Sequence, residues 1–196
     1  IAWGLLHAQE PIVPIPQSLP YHEQKAALGK ELFFDPILSK NRSIACVSCH
    51  DFSRGGADGQ SVSTGIHNLK GRMNAPTVLN SVFNFTQFWN GRAKNLQEQA
   101  LGPIHNPVEM GFSMKEAVFR LQSNPKYKEA FKKITHRDTI TENDISDAIA
   151  EYEKTLITPN AKFDLFLQNK SSLTPHEKEG YRLFKTMGCI KTRKCS

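Results

Sequence analysis

The residues with the most chemistry in this chain are Cys46-Val47-Ser48-Cys49-His50, a Cys-x-x-Cys-His pentapeptide. Such a run is the attachment signature of c-type haem. Positions i, i+3 and i+4 share one face of a helical turn. Two thiols at that spacing can form thioethers with the two vinyl groups of a porphyrin. His50, next in sequence, can then offer an imidazole nitrogen to the iron as proximal ligand. Two other chemistries use the same cysteines. A thioredoxin-type redox pair requires a preceding strand and a βαβ context, but the segment Ser39-Lys40-Asn41-Arg42-Ser43 reads as turn. A zinc site requires further ligands, which Cys189 and Cys195 supply only if the far end of the chain folds back.

The elements that must position these residues read as helices. Tyr21, Leu28, Leu32 and Phe33 recur at helical spacing, and Asp35-Pro36 stops that run. A short helix carries Cys46 to His50. The glycine-bearing stretch from Arg54 to Gly71 has no sustained periodicity, and loops of that length are usually functional or disordered. Val78, Leu79, Val82 and Phe83 read as a buried helix, with Phe85, Phe88 and Trp89 after it as clustered aromatics whose usual fate is core packing. Ser113-Met-Lys-Glu116 is a capping box, and Asn124-Pro125 an N-cap followed by proline at the first helical position. Ile145, Ala148, Ile149, Tyr152 and Leu156 form one apolar stripe, and Thr174-Pro-His-Glu177 caps a last helix. No segment reads as a strand, so the expected class is all-α. Gly29-Lys-Glu-Leu-Phe33 ahead of Cys46 is echoed by Gly180-Tyr-Arg-Leu-Phe184 ahead of Cys189. That repeat implies two copies of one haem-domain helix.

Composition narrows the classes further. The 196 residues are 39% hydrophobic, modest for a large core, and a haem would add apolar surface. The net charge is +6, but Lys185, Lys191, Arg193 and Lys194 carry +4 of it in a segment without acids. The rest is nearly balanced, an ordinary surface with a basic tail rather than a nucleic-acid-binding face. No run of about 18 apolar residues occurs, so no transmembrane helix is expected. Residues 1–8, ending at Ala8, read as the tail of a secretory signal. Pro11, Pro14, Pro16 and Pro20 then mark an extended lead-in.

Several motifs in order resemble the bacterial di-haem cytochrome c peroxidase family. They are Leu-Gly-Lys-Glu-Leu-Phe-Phe-Asp-Pro at 28–36, the Cys-x-x-Cys-His, Asn-Ala-Pro-Thr at 74–77, Phe-Trp-Asn-Gly-Arg-Ala at 88–93, Pro-Val-Glu-Met at 107–110 and Thr-Leu-Ile-Thr-Pro at 155–159. The resemblance implies an all-α cytochrome c-type fold and a haem c held by Cys46 and Cys49 with His50 as proximal ligand. It also implies reduction of hydrogen peroxide to water, with electrons from a small donor protein, a cytochrome c or a cupredoxin. His67 matches the family's distal ligand once a one-residue gap is allowed; without the gap Ile66 stands there. Glu109 matches the pocket carboxylate, with Gln99 and Pro103 matching its neighbours. Splitting the O–O bond of hydrogen peroxide requires a base to take one proton and an acid to return it to the leaving oxygen, and one glutamate can do both. Trp89 matches a tryptophan between the two haems, and Asn74 a calcium ligand at the interface of two domains. Attachment of c-type haem takes place outside the bacterial cytoplasm, which agrees with the signal remnant and points to the periplasm; a homodimer is among the expected partners.

The resemblance breaks at the second haem site. Cys189 is followed by Thr192 where a cysteine is expected and Arg193 where a histidine is expected. The expected organisation is therefore a signal remnant at 1–8, a haem domain at 9–170 and a truncated or frameshifted start of a second domain at 171–196. On that reading peroxidase turnover is impaired, and the alternative function is a non-enzymatic mono-haem c electron carrier or haem-binding fragment.

Overall fold

In the computed structural model the chain is described over residues 12–187. The signal remnant expected at 1–8 and the broken second site at Cys189, Thr192, Arg193 and Cys195 lie outside those residues. The described residues contain eight α-helices with short 3-10 turns between them and no strand; two isolated bridges, Thr64 with Lys70 and Gln87 with Ala93, are the only extended pairings. The expected all-α class is what is observed. Two compact units are formed, Ser18–Ile157 and the segments that flank it.

The larger unit is built on the crossing of α1 (Glu23–Phe34) and α6 (Glu142–Glu153). The His22 side chain caps α1, accepting from the Lys25 N–H, so the helix begins after Tyr21, which is exposed. Ala26, Leu28, Gly29, Leu32 and Phe33 form its buried face. At Gly29 a Cβ would lie 1.8 Å from the Ala148 carbonyl oxygen. Only glycine lets the two backbones approach this closely. The stripe read on α6 is the buried one: Ile145, Ala148 and Ile149 are at most 1% exposed. Leu156 lies past the helix end yet still packs on the core.

Both central capping motifs form as read. In α4 (Met114–Gln122) Ser113 and Glu116 cap each other, and α5 (Pro125–Thr135) opens with Asn124 accepting from the Lys126 N–H. Tyr127 of α5 donates its hydroxyl to Asp35 at 2.6 Å, fastening the end of α1. Arg120 of α4 donates to the carbonyls of Ile37, Ser39 and Lys40 at 2.6–3.0 Å and stacks on Phe112. That guanidinium clamps the segment that leads into Cys46.

The helix expected across Val78 to Phe83 is not formed. Ser81–Phe83 is one 3-10 turn, and Asn80 before it has the left-handed φ of 61°. The reason lies in long-range pairing: Val78 N–H donates to Gly56 and Asn80 N–H to Leu156, and only single-turn bonds such as Ser81 N–H to Val78 O are left within the segment. Nor do the aromatics that follow fill the core. Phe85 is 98% exposed and Trp89 58%.

In the flanking unit α7 (Lys162–Leu167) and α8 (Pro175–Met187) meet through Phe163, Phe166 and Tyr181, with ring centroids 5.0–6.1 Å apart. Buried Asp164 accepts from the N–H groups of Ile15 and Ala161. Thr174 and Glu177 form the expected capping box of α8. Among the described residues no helix is long and apolar enough to cross a membrane.

Candidate haem site

The Cys46–Cys49 segment is one helical turn, α2, with His50 as its C-cap. Ser48 stabilises the start of that turn, its hydroxyl accepting from the Ala45 N–H at 3.0 Å. Just ahead, the fully buried Ser39 hydroxyl accepts from the N–H groups of Ser43 and Ile44, and Lys40 N–H donates to Met110. The approach to the pentapeptide is therefore fixed by hydrogen bonds rather than by regular structure.

His50 is oriented by the loop that follows it. Its Nδ1 lies 3.1 Å from the Gly56 carbonyl oxygen. A carbonyl only accepts, so Nδ1 carries the proton and the lone pair is left on Nε2. Gly56 reaches this position with a φ of 77°, and its carbonyl also accepts from the Val78 N–H. Burial lowers the His50 pKa, which keeps the imidazole neutral as a ligand must be. This backbone anchor is the kind that orients and tunes a metal-bound histidine.

The two thiols are free, half-buried, and three residues apart on one turn. Burial, and then the charge of Glu153, raises the Cys46 pKa to about 12. Burial, followed by Asp58 and Glu109, raises that of Cys49 to about 11. Thiols held protonated in this way are poor redox nucleophiles, whose hallmark is a depressed pKa. With no strand ahead of them, the thioredoxin-type reading fails. Among the described residues no group of three or more His, Cys, Asp or Glu could hold a metal ion, so the zinc reading has no support there. A covalent haem does fit this donor set. It needs two thiols on one face and one neutral imidazole beside them.

Glu109 approaches the same turn, close enough for its charge to act on Cys49. Its Oε1 accepts from the Asn106 side-chain amide at 2.7 Å, and Asn106 Oδ1 in turn accepts from the Val108 N–H. Burial raises the Glu109 pKa against the opposing effects of Asn106 and Arg92. Gly65 lies against Glu109's backbone: a Cβ there would sit 2.1 Å from Val108 O and 2.6 Å from Glu109 Cα. Ile66 N–H donates to Glu109 O at 2.8 Å. The loop bearing His67 and the loop bearing Glu109 are thus locked together. Ile66 is the buried residue of the pair, whereas His67 is exposed with a left-handed φ of 54°.

The other residues singled out from the sequence are placed as follows. Gln99 is half-buried on α3 (Leu96–His105), one turn before Pro103 of the same helix. Trp89 is exposed and donates its indole N–H to the carbonyl of Asn74 at 3.1 Å, so these two are neighbours. Three further residues escaped the sequence reading. Asn106 holds Glu109; its signal was the Asn-Pro-Val-Glu spacing, since an Asx side chain bonds to the backbone two residues on. Gly56 orients His50, and the Gly55-Gly56 pair was a visible turn. Buried Glu153 had no signal beyond an acidic residue at the end of an apolar stripe.

Residues 23–172 match the family described as di-haem cytochrome c peroxidase. The chain belongs to that family. It is 50% identical over 188 residues to the cytochrome c551 peroxidase of Nitrosomonas europaea, covering 95% of this chain and 56% of that one. With the cytochrome c peroxidase Ccp of Escherichia coli it shares 48% identity over 93% of this chain and 40% of the relative. Among solved structures, a MauG-like protein associated with microbial copper homeostasis superposes with a TM-score of 0.76 at 31% identity, covering 93% of this chain and 55% of that one. The chain therefore spans about half the length of the relatives it matches.

Proposed function

We propose that the chain holds one haem c through Cys46 and Cys49, with His50 Nε2 toward the iron, and contributes the peroxide-reducing half of a cytochrome c peroxidase. The observation that carries this reading is the meeting of three groups: the Cys46–Cys49 turn, the Gly56-anchored imidazole, and a partly buried Glu109 whose pKa is raised. When bound, the haem supplies the redox equivalents. Glu109 exchanges the protons of hydrogen peroxide, taking one from the attacking oxygen and delivering it to the leaving one. Asn106 fixes the carboxylate that does so. His67, on the loop locked to Glu109, is proposed as the distal ligand and Gln99 as a polar companion of Glu109.

Exposed Trp89 is proposed as the side chain through which electrons arrive, and Asn74 beside it as a calcium ligand. The donor is a small redox protein, a cytochrome c or cupredoxin, and the location the periplasm, where c-type haem is attached in bacteria. The haem domain is taken as residues 9–170, and a homodimer as its assembly. The pentapeptide occurs once in the sequence. Peroxide reduction requires two electrons, so donor-driven turnover by this chain alone is expected to be slow.

The test is a rapid-mixing measurement of the haem-loaded chain with hydrogen peroxide, followed by its visible spectrum. Glu109→Gln is expected to slow the reaction by about 10²-fold or more, the usual worth of a positioned acid–base group. A Gln variant that reacts as fast as the parent would remove Glu109 from the mechanism.

A further inference from the structure

Glu153, the last residue of α6, is the most deeply buried carboxylate among the described residues outside the proposed acid–base machinery. It is 5% exposed, and its Oε2 is buried with no hydrogen-bond partner. A carboxylate oxygen left unpaired in a core disfavours the charged form of its group. No packing benefit explains it, since glutamine would fill the same space.

What distinguishes the position is its neighbour. Glu153 is near enough to Cys46 for its charge to hold the thiol proton in place. Cys46 binds the porphyrin rather than the iron, so Glu153 faces the thioether edge of the haem site. No charged group of the elements packed on α6, Glu23, Lys30 and Lys115 included, is among the causes acting on Glu153. On α1, Lys25 pairs with Asp147 and Glu31 with Lys126. On α3, Glu98 accepts from Lys94 N–H, and His105 is exposed. On α4, Arg120 is bound to three carbonyls and Glu116 closes its own capping box. On α6 itself, Lys154 holds Glu151. None of these charges acts on Glu153, where burial alone governs ionisation.

We propose that Glu153 is the redox-linked proton site of this haem domain, binding one proton as the haem takes up one electron. This rests on the haem reading above. The oxidised centre carries one more positive charge than the reduced one. In an unscreened interior that charge favours the carboxylate, and its removal favours the carboxylic acid. The balance is one electron from the reduced donor protein to the haem and one proton from water to a Glu153 oxygen, with no other bond made or broken. Burial, which raises the Glu153 pKa to about 8, puts the exchange near neutral to mildly alkaline pH.

The experiment is a spectroelectrochemical titration of the haem-loaded chain from pH 5.5 to 10, in the parent, Glu153→Gln and Glu109→Gln. Pyridine haemochrome is run first; absence of covalent haem sinks the underlying haem reading and is thereby distinguished from failure of this proposal. In the parent the potential is expected to fall with rising pH around 8, by up to about 59 mV per pH unit, the limit for one proton per electron. Glu153→Gln is expected to flatten that segment; Glu109→Gln, at the proposed acid–base group, shows how much of the remaining slope that group contributes. An unchanged pH dependence in haem-loaded Glu153→Gln would overturn the proposal. Should that variant fail to load haem, the infrared difference spectrum of the parent and Glu109→Gln decides. A protonated-carboxyl C=O band, shifted in D2O, must gain intensity on reduction in both, and its absence refutes the assignment.

Discussion

Replacing Gly65 by alanine tests the placement of the proposed acid–base carboxylate, Glu109, without changing that side chain. The added Cβ would lie 2.1 Å from Val108 O, 2.5 Å from Glu109 O and 2.6 Å from Glu109 Cα. All three are backbone atoms, so no side chain can rotate away. Non-bonded contacts settle near about 3.5–4 Å, and the two loops must therefore part by about 1–2 Å. Overpacking of this kind costs about 1–3 kcal/mol. Loss of the Ile66 N–H to Glu109 O bond of 2.8 Å adds about 1 kcal/mol. A catalytic group displaced by about 1 Å can lose about 10²-fold in rate. The assay is single-turnover mixing of the haem-loaded variant with hydrogen peroxide, with a thermal melt beside it. Gly180→Ala is the control, because a Cβ there meets nothing within 4 Å and α8 gains helix propensity. Gly65→Ala is expected to melt lower and react about 10²-fold more slowly, and Gly180→Ala to do neither. If Gly65→Ala melts lower but reacts at the parent rate, the Glu109 loop is not part of the reaction.

The remaining predictions concern stability. Gly29→Ala drives a Cβ to within 1.8 Å of the Ala148 carbonyl at the α1–α6 crossing and is expected to cost about 3 kcal/mol or more in urea unfolding. Arg120→Met removes three hydrogen bonds to the segment ahead of Cys46 and the stacking on Phe112; a loss of about 2–4 kcal/mol by the same assay is expected. For Glu153 the folded pKa of about 8 lies above the ordinary 4.5, so the folded state holds the proton more tightly than the unfolded one. The parent should then lose stability as pH rises from 5 to 8, by up to about 1.4 kcal/mol per unit, and Glu153→Gln should not. Chemical denaturation at both ends of that range measures the difference.

How much of this was legible in the sequence depended on whether the signal was local. Ser113 with Glu116, Asn124 with Pro125, and the α6 stripe rest on spacings of up to four residues, and each formed as read except that Leu156 lies past the helix end. The apolar run from Val78 to Phe83 carried the same local signal for a helix. There the backbone partners were Gly56 and Leu156, far away in the chain, and no local pattern reports such pairing. Phe85 and Trp89 show the reverse failure, since their types predict burial while their positions leave them on the surface. At the site, the pentapeptide named the chemistry, but its supports were invisible as supports. Gly56 acts through a carbonyl, and Gly65 through the absence of a side chain. Glu153 broke the apolar pattern at a helix end, the kind of local inconsistency that marks a functional position.

The central claim is that Cys46 and Cys49 carry a covalent haem beside His50. Intact mass after expression with the c-type haem maturation machinery tests it most directly. The account predicts a chain heavier by one haem that resists acid–acetone extraction and a chain of unaltered mass when both cysteines are replaced by serine. A chain without added mass, or one that keeps its haem after loss of both cysteines, would contradict it.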